Sequence, residues 1–104
     1  MYNKVMNIDQ VRKFAPQIRN IARKYGVSEV YVFGSVARGG NKMPHDVDFL
    51  VDMLPGASLF GTAGFLYETE KLLGVPVDVV PRSVLPLVKD QSFINNVQRE
   101  AILL

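Results

Sequence analysis

The spacing of apolar residues along the chain predicts an alternation of helices and strands. Three segments repeat an apolar residue every three to four positions, which is typical of one face of a helix, and three shorter apolar or alternating runs are typical of strands. The predicted helices are 7–25, 59–73 and 92–103, with one helical turn at 35–39, and the predicted strands are 29–33, 46–52 and 75–80. This order predicts an α/β (α+β) fold, a small mixed sheet of about three to four strands with helices packed mainly on one face.

Helix-capping and helix-breaking residues mark the ends of these segments. Asn7 is suited to cap the first helix, and Gly26 to end it, because glycine readily adopts the left-handed backbone that follows a helix. Pro16 lacks an N–H to donate, so we expect a short first turn and a restart with proline near the new N-terminus. Gly74 is expected to end the middle helix, and Ser92 to cap the last one.

Length and composition limit the classes of protein to which this chain can belong. A chain of 104 residues is expected to form a single domain spanning 1–104, and its hydrophobic fraction of 48% suffices for one core. The net charge of +2 is too mild to indicate a nucleic-acid-coating surface. The absence of cysteine fits a reducing cytosol, and no signal peptide or stretch of 18 apolar residues is evident. We therefore expect a cytoplasmic protein with neither a membrane nor a nucleic-acid partner.

A glycine–serine pair and three carboxylates carry the candidate chemistry. Gly34 and Ser35 follow an apolar strand, and Asp46 and Asp48 begin the next one, while Asp78 interrupts a third. Side chains at i and i+2 of a strand share one face, so Asp46 and Asp48 project together and repel unless a cation compensates them. Their oxygens suit Mg²⁺, and a small glycine-flanked loop can offer backbone N–H groups to phosphates. The pattern predicts nucleotidyl transfer.

The same motifs resemble a known superfamily. A Gly-Ser pair, a gap of ten residues, Asp-x-Asp and a later aspartate on another strand are similar to the DNA polymerase β-type nucleotidyltransferases. The GSxARG form at 34–39 and the short chain resemble the minimal nucleotidyltransferase (MNT) family, many members of which are the antitoxin half of HEPN–MNT toxin–antitoxin pairs. The resemblance implies a polymerase β-like nucleotidyltransferase fold, and it covers roughly residues 30–80.

The resemblance also implies an activity and the residues that perform it. AMP would pass from ATP to a hydroxyl, expected to be a tyrosine of a HEPN-type ribonuclease toxin, with two Mg²⁺ ions as cofactors. The aspartate on the third strand would also help to deprotonate the attacking hydroxyl. The implied catalytic residues and metal ligands are Asp46, Asp48 and Asp78, and the implied nucleotide-binding residues are Gly34, Ser35 and Arg38.

Several of the acidic residues also have structural interpretations. Asp46 is suited to end the preceding loop, and Asp52, on the strand face of Asp48, is better explained as terminating the strand. Asp78 would be costly to bury unpaired, and a salt bridge to an arginine such as Arg82 is the alternative to a catalytic role.

The loop residues are ambiguous in a similar way. Ser35 is suited to cap a helix, which uses the geometry that also binds phosphate. Arg38 lies one helical turn further on, where it can reach a phosphate oxygen or remain a solvated surface residue. His45 stands where the family often has a small polar residue, and its role stays open.

Two classes of function follow from these residues. One is an enzyme that adenylylates the toxin, and the other is a non-catalytic antitoxin that neutralises the toxin by binding and occlusion. An occluding protein would be free to lose its carboxylates, so the presence of all three favours the enzyme. A nucleic-acid polymerase is disfavoured because 104 residues leave no room for a nucleic-acid-binding domain. The oligomeric state stays open.

Overall fold

A computed structural model describes residues 6–39 and 46–104 and contains a four-stranded mixed sheet. The strand order is β3-β2-β1-β4, in which β2 and β3 run parallel and the other neighbours run antiparallel. The predicted fold class is therefore confirmed. The helices are α1 (Ile8–Lys13), α2 (Ala15–Lys24), α3 (Gly34–Arg38), α4 (Gly61–Leu73) and α5 (Gln91–Glu100); the strands are β1 (Val27–Phe33), β2 (Val47–Met53), β3 (Val77–Pro81) and β4 (Ile102–Leu103); and a 3₁₀ helix spans Arg82–Leu87.

The N-terminal helices begin and end where the sequence predicts. The side chain of Asn7 accepts a hydrogen bond from the backbone of Gln10, whose side chain in turn accepts one from the Asn7 N–H, a reciprocal capping box. The first helix stops after one and a half turns, and α2 restarts with Pro16 in its first turn. Gly26 follows α2 with a φ of 76°. Both predicted signals, the break and the stop, are confirmed.

Each face of the sheet is covered by its own apolar cluster. On one face, β2 residues Val47, Phe49 and Val51 are fully buried beneath α1, α2 and α4, and Phe49 meets Phe65 edge to face at 5.7 Å between ring centroids. On the other face, Leu50 is buried with residues of the 3₁₀ helix and α5. This second face also carries Asp48, because residues two apart along a strand point the same way.

The last helix is shorter than predicted. It is capped by Asp90, whose carboxylate accepts the Phe93 N–H, and not by Ser92. It ends at Glu100 instead of near residue 103, because the next residues pair with the edge of β1. Ile102 and Leu103 form β4, and the N–H of Leu104 donates to Val30. Backbone hydrogen bonds to an otherwise open strand edge replace the last helical turn.

Among the helices in the described part of the chain, none combines the length and the apolar character needed to cross a bilayer.

Candidate nucleotidyl-transfer site

The structure brings the three predicted carboxylates together at one edge of the sheet. Asp48 on β2 and Asp78 on β3 are direct partners in the parallel register. Asp46 comes immediately before β2, two residues from Asp48 along an extended chain, so its side chain lies on the same face. Asp46 and Asp78 are exposed and Asp48 is half-buried. The arrangement concentrates negative charge at an accessible position.

Burial, together with the charge of the neighbouring carboxylates, raises the pKa of Asp48 from 3.8 to about 6. Burial is the largest cause, followed by the negative charge of Asp78 and a hydrogen bond with it, and then by the charge of Asp46. Arg38 acts in the opposite direction but does not compensate for the other groups. The ionised form of Asp48 is therefore unfavourable here until a proton or a cation offsets it.

Gly34 allows the Asp48 carboxylate to approach the backbone at the start of α3. Its φ is +77°, a left-handed conformation that side chains other than glycine rarely adopt. A Cβ atom at this position would lie far inside 3.0 Å from Oδ2 of Asp48. Ser35 follows directly in the first turn of α3. The glycine–serine loop and the carboxylate thus form one packed unit.

Arg38 ends α3 and connects it to α5. Its Nη1 donates to both carboxylate oxygens of Glu100, at 2.9 and 3.1 Å. The side chain of Glu100 is 14% exposed and that of Arg38 is 55% exposed, so the pair lies at the boundary between protein and solvent. Arg38 is accordingly a paired residue beside the site and not a purely solvated one.

A cavity of about 280 Å³ opens between the glycine–serine loop, β2 and α5. All three predicted nucleotide-binding positions and one of the three predicted metal-binding carboxylates line the cavity, and α5 supplies its opposite wall. The lining residues are Phe33, Gly34, Ser35, Arg38, Asp48, Phe93, Asn96, Val97 and Glu100. The α5 residues of this wall were not among those predicted from the sequence. Their spacing of i, i+3, i+4 and i+7 marks a helix face, but it does not say that this face covers the loop.

Asp52 and Arg82 form a separate ion pair. Nε of Arg82 donates to Oδ1 of Asp52 at 2.6 Å, and the guanidinium carbon lies 4.8 Å from the ring centroid of Tyr31. The alternative partner suggested for Asp78 is therefore engaged with Asp52, to which we assign a structural role. A larger cavity of about 740 Å³ opens beside this pair, among residues of β2, the 3₁₀ helix and α5. None of Asp46, Asp48 and Asp78 lines this cavity.

The groups at this site that could hold a divalent cation are carboxylate oxygens. Within residues 6–39 and 46–104, no three acidic or histidine side chains stand in a preformed metal-holding arrangement. Asp48 and Asp78 nevertheless face each other across adjacent strands, and carboxylate oxygens completed by substrate phosphates are what Mg²⁺ prefers. The pair fits such an ion, and the charge of Asp46 acts on Asp48 from two residues earlier in the chain. His45 lies outside the described residues.

Comparison with known proteins agrees with this geometry. Residues 15–104 match the model of the nucleotidyltransferase domain family. A Methanocaldococcus jannaschii protein, provisionally assigned as a protein adenylyltransferase, is 39% identical over 87 residues, which are 83% of this chain and 90% of the relative. A solved structure, provisionally assigned as a minimal nucleotidyltransferase, is 33% identical, with a TM-score of 0.74 over 95% of this chain and 97% of the other.

A more distant structure shows the same fold. It is a chain of the solved complex of tri-AMPylated Shewanella oneidensis HEPN toxin with MNT antitoxin, 15% identical, with a TM-score of 0.60. The match covers 88% of this chain and 69% of that one. The family resemblance seen in the Gly-Ser and Asp-x-Asp motifs is confirmed by the family model and by the two relatives with more than 30% sequence identity. The chain belongs to the nucleotidyltransferase domain family, as a minimal nucleotidyltransferase.

Proposed function

We propose that this nucleotidyltransferase moves AMP from ATP to a side-chain hydroxyl, a tyrosine, of a HEPN-type toxin and thereby silences the toxin in the cytoplasm. The observation that carries the proposal is the direct register of Asp48 and Asp78 beside the glycine–serine loop. Two facing carboxylates, of which Asp48 has a raised pKa, next to a backbone that carries no side chain at Gly34 are what transfer of a phosphoryl-linked group needs. The protein acceptor is supported by the assigned activity of the M. jannaschii relative and by the AMPylated toxin in the S. oneidensis complex.

The glycine–serine loop would hold the triphosphate. The backbone of α3 begins at Gly34, where the missing side chain leaves room for close approach, and Ser35 adds a hydroxyl donor to the β- and γ-phosphates. Arg38 lies at the end of the same short helix and lines the same cavity. Nη1 of its guanidinium donates to Glu100, and the remaining N–H groups can donate to phosphate oxygens.

The carboxylates would hold Mg²⁺, with Asp46, Asp48 and Asp78 as its ligands. Bound Mg²⁺ would neutralise charge on the entering and leaving oxygens, the contribution that a metal makes to in-line displacement at phosphorus. Asp78, the more exposed member of the facing pair, would accept the proton of the attacking hydroxyl. The hydroxyl oxygen bonds to the α-phosphorus, the bond to the bridging oxygen breaks, and pyrophosphate leaves with the electron pair.

The test is transfer of label from ATP carrying ³²P at the α-phosphate to a HEPN-type protein encoded beside this chain. We expect labelled toxin and one pyrophosphate for each AMP transferred, both lost on chelation of divalent ions. Asp48→Asn should abolish transfer, whereas Asp52→Asn, on the same strand face but paired with Arg82, should retain most of it. Full transfer by Asp48→Asn, or transfer that survives chelation, would contradict the proposal.

A further inference from the structure

One face of α5 forms the wall of the nucleotide cavity opposite the glycine–serine loop. Phe93, Asn96, Val97 and Glu100 all line it, at the spacing of a single helix face. Val97 is 1% exposed and anchors this face to the sheet. Glu100 is engaged with Arg38. The first turns of α5 therefore leave two side chains, Phe93 and Asn96, to contact whatever occupies the cavity.

The ring of Phe93 is held in place but not covered. Its edge-to-face contact with Phe33 has a centroid separation of 6.1 Å and an interplanar angle of 82°. Phe33 is 5% exposed and directly precedes Gly34, so the contact connects α5 to the start of the phosphate-binding loop. Phe93 nevertheless keeps 36% of its surface exposed at the cavity. A positioned aromatic ring with accessible surface suits stacking by a planar ligand.

Asn96 is also oriented. Its Oδ1 accepts a hydrogen bond from Nη2 of Arg99 at 2.5 Å, which restrains the amide. The amide of asparagine offers two donor hydrogens and an oxygen with a second lone pair. This is the donor and acceptor pattern that pairs with the N6 amino group and N7 of adenine. The position is one helical turn from Phe93, so the two side chains can act on one ring system.

The length of α5 matches the extent of a nucleotide. A helix rises about 1.5 Å per residue, so Phe93 and Glu100 are separated by about 10 Å along the axis. The Arg38–Glu100 ion pair would mark the phosphate end, and Asp48 also lines the cavity. An ATP molecule with its β- and γ-phosphates near Arg38 and its α-phosphate near Asp48 would place its base toward Phe93.

We propose that Phe93 and Asn96 of α5 form the base subsite of this nucleotidyltransferase, Phe93 by stacking on the purine and Asn96 by hydrogen-bonding its edge. The assignment rests on the proposed use of ATP at the carboxylate site. It supplies the base-selecting wall that the glycine–serine and aspartate motifs do not define, and it assigns that role to a helix outside those motifs.

Stacking is tested by comparing two ligands that share the phosphates and differ in the base. Isothermal titration calorimetry in the presence of Mg²⁺ would measure the affinity of the wild type, Phe93→Ala and Phe93→Leu for ATP and for inorganic tripolyphosphate. Loss of one stacking partner should weaken ATP binding by about tenfold and leave tripolyphosphate binding unchanged. Phe93→Leu keeps apolar packing against Phe33, so it separates stacking from folding. Phe60→Ala, which removes an aromatic ring that is 89% exposed on another part of the surface, is the control.

Edge recognition is tested by the ratio of ATP to GTP affinity. Asn96→Ala should reduce this ratio toward one without changing tripolyphosphate affinity. An unchanged ratio would overturn the role of Asn96. Unchanged ATP affinity in both Phe93 variants, with a raised KM for the acceptor protein, would overturn the base subsite and assign this wall to the acceptor. Failure of the wild type to bind either ATP or tripolyphosphate would count against the proposed function itself, which is a separate result.

Discussion

The carboxylate of Asp48 lies against Gly34 at the start of α3, where any larger residue would place its Cβ atom. Any Cβ atom there would overlap Oδ2 of Asp48, and the backbone is left-handed at the same residue. Two independent requirements for glycine thus coincide at one position. The glycine–serine loop and the acidic cluster cannot be altered separately, because the conformation of one limits the position of the other.

Substitution of Gly34 should therefore remove activity through Asp48. Gly34→Ala costs roughly 1–2 kcal/mol from the left-handed backbone alone, and the overlap also displaces the carboxylate. A displacement of about 1 Å at a catalytic group can lower the rate by about 10²-fold. The measurement is the rate of AMP transfer, together with the melting temperature.

Gly39→Ala provides the matched control for that substitution. Gly39 has a φ of +83° and caps the same helix, but a Cβ there would meet no atom within 4 Å among the described residues. Gly39→Ala therefore has the same cost of a left-handed backbone as Gly34→Ala but causes no overlap with Asp48. Equal losses of activity in the two variants would show that backbone strain, and not contact with Asp48, explains the effect.

Replacing Asp48 by asparagine should stabilise the metal-free protein at neutral pH. The pKa of Asp48 is about 6 in the folded state against 3.8 in a model compound, so the folded state binds more protons between these values. The contribution of Asp48 to stability is complete below about pH 4 and is lost as the pH rises through about 6. The shift corresponds to roughly 3 kcal/mol, reduced by solvent at this half-buried position to about 1–2 kcal/mol.

Urea unfolding with a chelator across this pH range is the measurement. The stability difference between Asp48→Asn and the wild type should grow in favour of the variant from about pH 4 to pH 6 and then level off. A variant that is less stable than the wild type at neutral pH would instead indicate that the Asp48 carboxylate makes a stabilising ion pair.

Magnesium should reverse this order. A cation that binds the folded state alone stabilises it in proportion to the logarithm of its concentration over Kd. Mg²⁺ should therefore raise the melting temperature of the wild type and have little effect on Asp48→Asn or Asp78→Asn. Asp52→Asn should respond as the wild type does, because its ion pair with Arg82 lies apart from the cluster. An equal rise in all four proteins would indicate nonspecific binding.

Variants of the Arg38–Glu100 ion pair should show whether Arg38 contributes to folding stability, to phosphate binding or to both. Arg38→Ala leaves the carboxylate of Glu100, which is 14% exposed, without its hydrogen-bonding arginine and should cost about 1–3 kcal/mol of stability. The same substitution should also weaken the binding of both ATP and tripolyphosphate. The double variant Arg38→Ala, Glu100→Gln should recover stability but not phosphate affinity. Recovery of both would show that Arg38 is a structural residue only.

The local structure could be predicted from the sequence where it depends on neighbouring residues. The capping by Asn7 and the restart at Pro16 are determined within a few residues, and both predictions are confirmed. Glycine has a low helix propensity, yet α4 includes both Gly61 and Gly64. Glycine is required at these two positions because a Cβ atom at either would overlap Tyr25. That reason is a contact between distant residues, which the apolar pattern does not contain.

The site was predictable to a similar extent. The alternation of strand side chains places Asp46 and Asp48 on one face, but their facing of Asp78 depends on the parallel register of β2 with β3. The resemblance to the family supplied that partner, and periodicity alone would not. The wall formed by Phe93 and Asn96 depends on how α5 crosses the sheet, and the end of α5 depends on the open edge of β1. Both are tertiary effects.

The most direct test of catalysis, as opposed to occlusion, is the mass and ribonuclease activity of the HEPN-type toxin after coexpression with this protein and subsequent separation from it. With the wild type, we expect toxin that carries AMP on a tyrosine and stays inactive when alone. With Asp48→Asn, we expect unmodified toxin that regains its ribonuclease activity. Unmodified toxin recovered from the wild type, active once freed and equally neutralised by Asp48→Asn while bound, would contradict catalysis and show that this protein acts by occlusion.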